Sequence, residues 1–170
     1  MIFSRKPLPN MDIESDREKY LVAFFGDSPA YYLKANRTLF RGENAPFHFP
    51  AFLLGLFWFL YRKMYVYAAG IFVLLFMIDM VIQIIGRSMP QYKEALQFFS
   101  FFITLAVSIV MGFKGNGIYL GYANRKIHEI TSAYSDEHQR LEALKKAGGT
   151  SPLLPWVIAG AFAALFILQS

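Results

Sequence analysis

Few side chains in this sequence combine the types and spacing that chemistry requires. Asp79 is the strongest candidate, because it stands just past the middle of a long apolar run with Gln83 one helical turn further on. An acid inside a bilayer is costly and marks an ion path, a proton relay or a polar contact between helices. Ser100, Thr104 and Ser108 recur at every fourth position of the next apolar run, which makes them one polar stripe on a helix. A hairpin turning near Pro90 sets Asp79 opposite Ser100 and Thr104. Asp79, Gln83, Ser100 and Thr104 are therefore read as an intramembrane polar cluster, with a hydrogen-bonded packing role as the competing account.

A second constellation is Trp58, Tyr61, Arg62, Lys63 and Tyr65, at the end of a shorter apolar run. The rings suit the headgroup level and the Arg62–Lys63 pair suits lipid phosphates, so the set reads as a membrane-interface motif. A simple stop-and-orient signal explains the same residues. His48, His128 and His138 lack metal-like partners at helical spacing and read as solvated or interfacial. Gly115-Asn116-Gly117 with Gly121 fails the spacing of a dinucleotide loop and follows no strand, so it reads as a flexible exit from a span. The chain has no cysteine, and no serine sits in a nucleophile elbow. No catalytic residue, metal or cofactor is expected. The net charge of +5 could suggest nucleic acid, but a membrane surface explains it sufficiently.

The elements that must carry these residues follow from segregation. Apolar residues make up 55% of the chain, above the usual share of a soluble domain, and the charges crowd into two stretches. Met64–Gly86 and Ala95–Phe113 are long enough to span a bilayer, and the short link between them makes an antiparallel hairpin. About a dozen large apolar residues in the first span supply roughly −4 to −7 kcal/mol for insertion against about +3 for Asp79, so it inserts regardless. Phe47–Leu60, about 14 residues, is too short to cross and has no polar face, so a half-inserted or re-entrant helix is expected. Leu153–Leu168 is read as a third span, opened by Ser151 and Pro152, with small-residue pairs at Ala159–Ala163 and Gly160–Ala164.

Polar helices fill the remainder. Asn10 caps one that Gly26 closes, and Ser28 caps a second that Gly42 closes. In the second, Tyr31, Tyr32, Ala35 and Leu39 share a face expected to lie on the headgroups. An amphipathic helix is expected across Lys114–Gly149. The stretch before the first span carries nine Lys and Arg and Lys114–Pro152 carries six, whereas the hairpin link carries only Arg87 and Lys93. Basic segments stay in the cytoplasm, which puts the N-terminus inside. The N-terminal residues lack the apolar core of a signal peptide, so internal segments must direct insertion.

The expectation is an all-α membrane protein with three transmembrane helices, a short half-inserted helix and cytoplasmic amphipathic helices. Its segments are 1–46, 47–63, the hairpin 64–113, 114–150 and 151–170. Its expected partners are the lipid bilayer and another membrane protein or a second copy, and its expected role is that of an accessory, scaffold or assembly factor. A small proton-linked transport component centred on Asp79 is the alternative.

The run FHFPAFLLGLFWFLYRKMY, residues 47–65, resembles a bacterial membrane family catalogued as domain of unknown function 2628. Ala51-Phe52, Trp58 and Tyr61-Arg62-Lys63-Met64-Tyr65 carry the resemblance, with Tyr31-Tyr32-Leu33, Gly115-Asn116 and Tyr119 alongside. This chain has Phe49-Pro50 where the family usually carries Asn-Trp. The resemblance implies a bacterial membrane protein and brings no known reaction.

Overall fold

The computed structural model describes residues 11–26, 29–151, 153, 155–158 and 160, and these contain helices and turns but no strand. The helices are α1 (Met11–Phe25), α2 (Pro29–Phe40), α3 (Phe49–Leu54), α4 (Leu56–Tyr61), α5 (Tyr65–Ser88), α6 (Lys93–Ala133) and α7 (Glu137–Ala147), with a 3-10 turn at Pro90–Tyr92 before α6. Positive φ angles at Gly26 and Gly42 lie just past the ends of α1 and α2, as the glycine pattern leads one to expect. The caps assigned to Asn10 and Ser28, the Pro152 expected at the first position of the third run, and most of that run lie outside the described residues.

α5 and α6 form an antiparallel hairpin, and both are long and apolar enough to cross a membrane. Only 6% of the apolar window of each is buried within the chain. α6 runs unbroken for 41 residues. That length corrects the flexible exit expected at Gly115–Gly117 and the separate helix expected from Lys114. The second span and the first half of the amphipathic helix are one rod, and the break falls later, where Asp136 caps α7 by accepting from the Gln139 N–H.

The glycines that suggested a loop serve close packing. Gly112, Gly115 and Asn116 are buried where α3 crosses α6. A Cβ at Gly115 would stand 2.8 Å from Ala51 Cβ, and the His48 N–H donates to the Gly112 carbonyl at 2.8 Å. The short apolar run is two helices rather than one. They are broken at Gly55, whose φ of 48° sends the chain back on itself. α3 packs on α6 and α4 on α5, so the run folds back beside the hairpin. Phe49, Leu53 and Leu54 stay exposed near its tip.

Around the end of the hairpin away from Pro90, α1, α2, α4, α6 and α7 close one core. Phe24, Phe25, Tyr32, Ala35, Trp58, Phe59, Met64, Tyr119, Leu120 and Leu144 are buried in it. Tyr32 and Ala35 of α2 therefore face protein, correcting the expectation that this face lies on headgroups.

Gly115→Ala should lower stability by about 1–3 kcal/mol, because Ala51 Cβ cannot retreat without moving α3. Gly117→Ala, with open space around it, should be neutral or gain up to about 1 kcal/mol of helix propensity. Thermal unfolding of the two variants in detergent would compare them, and equal midpoints would remove the packing account.

Candidate functional site

α4 ends in a Schellman turn. The Met64 N–H donates to Phe59 O at 2.9 Å and the Lys63 N–H to Leu60 O at 3.0 Å. The left-handed position that glycine normally takes is filled by Lys63, with φ 58°. A side chain there costs about 1–2 kcal/mol, so something must hold it. Lys63 Nζ donates to the carbonyls of Gly148 at 2.7 Å and Lys146 at 3.0 Å, at the C-terminus of α7. The cation satisfies carbonyls that the helix leaves open and meets the negative end of its dipole.

Arg62, one residue earlier, turns inward and is 6% exposed. Nη2 donates to the Tyr32 hydroxyl at 3.0 Å and Nη1 to Phe25 O at 3.4 Å, the open end of α1. Its guanidinium carbon lies 4.7 Å from the Tyr32 ring centroid, 5.2 Å from Tyr119 and 5.9 Å from Tyr61. Each ring face offers a cation about 1–2 kcal/mol when desolvated. Trp58 is also buried, with its ring 4.6 Å from that of His48 and 5.8 Å from that of Tyr119. The basic pair and Trp58 thus form an internal junction instead of pairing with lipid phosphates. Tyr61 is half-buried, and Tyr65, at the start of α5, is exposed as a headgroup residue would be.

His48 is buried beside this box, not solvated. Its Nδ1 accepts from the Ala51 N–H at 3.0 Å, capping α3, and its Nε2 lies 3.3 Å from the Tyr32 hydroxyl. Burial, reinforced by the charge of Arg62, pushes its pKa down from 6.5 to about 4. Burial likewise raises the Tyr32 phenol, against the pull of Arg62. Asn116 Nδ2 donates to the Tyr31 hydroxyl and to Pro46 O, both at 2.8 Å. Three buried polar atoms, Arg62 Nε, Asn116 Oδ1 and the Tyr119 hydroxyl, have no hydrogen-bond partner among the described residues.

The second candidate set is dispersed. Asp79 and Gln83 are exposed on α5, and Gln83 Nε2 donates to Asp79 Oδ2 at 2.6 Å. Thr104 is exposed and donates to Ser100 O within its own helix, while Ser100 is half-buried. Among the described residues, no hydrogen bond joins Asp79 to Ser100 or Thr104. His128 and His138 are exposed, and no group of three potential metal ligands occurs among the described residues. Spacing could not reveal Asn116, whose partners Tyr31 and Pro46 are distant in sequence, nor the approach of His48 to Tyr32, although its cap on Ala51 is local. The signal available was their proximity to the aromatic motif and to Tyr31, Tyr32 and Tyr119.

Two measurements test the junction. His48 protonates near 6.5 when unfolded but only near 4 in the fold. Its contribution to stability is whole above about pH 6.5 and is lost as pH falls toward 4, up to about 3 kcal/mol in all. His48→Asn, which can still cap α3, should flatten the unfolding midpoint across that window; an unchanged slope would place the titration elsewhere. Arg62→Lys should lose 2 kcal/mol or more, roughly, because an ammonium cannot stack on Tyr32 while bridging to Phe25 O. Limited proteolysis of the loops around α1 and α7 would report that loss, and wild-type resistance would contradict it.

No curated protein and no solved structure matches the chain. The model of one family, described as "Protein of unknown function (DUF2628)", matches residues 19–125, which include Arg62 with the tyrosines around it, all of α5 and α6 as far as residue 125. With more than half of its length matched, the chain belongs to that family.

Proposed function

We propose that this protein is a bacterial inner-membrane protein with three spans and a cytoplasmic N-terminus. It acts by interaction, as an accessory, scaffold or assembly factor, without a reaction or cofactor of its own. The observation that carries the reading is the division of the molecule: two long apolar helices bury almost nothing within the chain, yet both join a tightly packed polar module. The expected environment of such helices is lipid or another apolar helix. The module offers a groove of about 710 Å³ between α1, α6 and α7, lined by Arg17, Tyr20, Asn124, His128 and Arg140 among others. Nucleic acid is not part of the proposal.

The rival reading is the proton-linked transport component, favoured by the exposure of Asp79 deep in α5. Affinity purification from membranes in mild detergent, followed by proton-flux assays on the reconstituted protein, separates the two. The accessory reading expects a stoichiometric second membrane protein and no flux. Flux that Asp79→Asn abolishes would establish the rival. Reporter fusions after Lys146 should read cytoplasm and those after Ser170 the outer side, following the distribution of Lys and Arg. A cytoplasmic reading at Ser170 would remove the three-span topology.

A further inference from the structure

Asp79 and Gln83 present a contradiction that the single chain does not resolve. By helical rise, Asp79 lies about 21 Å along α5 from Tyr65, deep in a hydrocarbon core of about 30 Å. There it is exposed and bonded, among the described residues, to Gln83 alone; one carboxylate oxygen and one amide hydrogen are left over, besides the Gln83 carbonyl oxygen. Lipid can satisfy none of them, and polar groups at such depth face protein or water. α6 does not cover the pair, because both residues remain exposed with α6 in place.

We propose that this face of α5 is the contact between two copies of the chain, with Asp79 and Gln83 at its centre. The inference rests on reading α5 as a membrane span. A second copy supplies what the site lacks. The pair contains both a spare donor and a spare acceptor, so it is self-complementary, as a symmetric interface requires. Each Gln83 amide holds its own Asp79 through one hydrogen and reaches the other copy's Asp79 through the second. The chain's remaining apolar run is a poorer occupant. Residues 153–168 contain one hydrogen-bonding side chain, Trp156, near their start, and Gln169 comes only after their end. The same face of α5 carries Phe72 and Phe76, whose rings stack with centroids 6.1 Å apart and remain exposed. They provide apolar contact on the cytoplasmic side of the polar pair.

The chain has no cysteine, so single introduced cysteines report contacts without background. Phe76→Cys places a thiol on the proposed face, and Val81→Cys places one on the opposite side of α5. Oxidation of the full-length protein in membranes should link the Phe76→Cys variant into dimers of about twice 19.5 kDa and leave the Val81→Cys variant monomeric. Adding Asp79→Leu and Gln83→Leu should reduce the dimer about tenfold while the protein stays in the membrane fraction. Equal linking at both positions, or linking that survives the leucine pair, overturns the proposal. So does an intramolecular link between Gln83→Cys and Gln169→Cys, which would make the chain's own C-terminal run the occupant. Recovery of the unaltered protein in the soluble fraction would instead overturn the reading of α5 as a span.

Discussion

Arg62 is a permanent cation buried where, among the described residues, no carboxylate meets it. Several kcal/mol of desolvation must therefore be recovered from neutral groups. Those groups are the Tyr32 hydroxyl, the Phe25 carbonyl and the faces of three tyrosines. They come from α1, α2, α4 and α6, so one side chain obliges four helices to converge. Lys63 repeats the device on α7 from the next position along the backbone. Two adjacent cations thus close the open carbonyl ends of α1 and α7, which no intrahelical bond can satisfy.

This arrangement explains why the glycines sit where they do. Closing α7 against α1 brings Gly148 so near the Phe24 carbonyl that a Cβ would lie 2.0 Å from its oxygen. The Gly149 N–H then donates to the same oxygen at 2.8 Å, and the Ser151 N–H to Tyr61 O at 2.8 Å. The chain leaves the module pinned to the end of α4, beside the first residue of α5.

Local physics made part of this legible beforehand. Apolar run length and terminal glycines located α1, α2 and α5 to within one or two residues, because those cues act inside a single element. The short run Phe47–Leu60 was legible as helical, but its break at Gly55 was not, since an isolated glycine also fits within a helix. Gly115-Asn116-Gly117 misled for a related reason. Glycine signals a flexible loop and a close crossing equally well, and only the position of Ala51 decides between them. Arg62 was legible as important and misplaced in role. A basic residue after an apolar run reads as a membrane-surface anchor unless one knows that Tyr32 and Tyr119, distant in sequence, offer it their faces.

α6 has no joint where it leaves the apolar layer. Its 41 residues make a rod roughly 60 Å long, about half of it inside the module. A bilayer that thins or thickens changes the tilt of the helices spanning it. A hinged span would absorb that change at the surface. In the membrane placement proposed above, this one acts as a lever instead: a tilt of about 10° swings its far end, near Ala133, by about 5 Å. In that placement the module leans with α6, and the surface that α1 and α7 present moves with it.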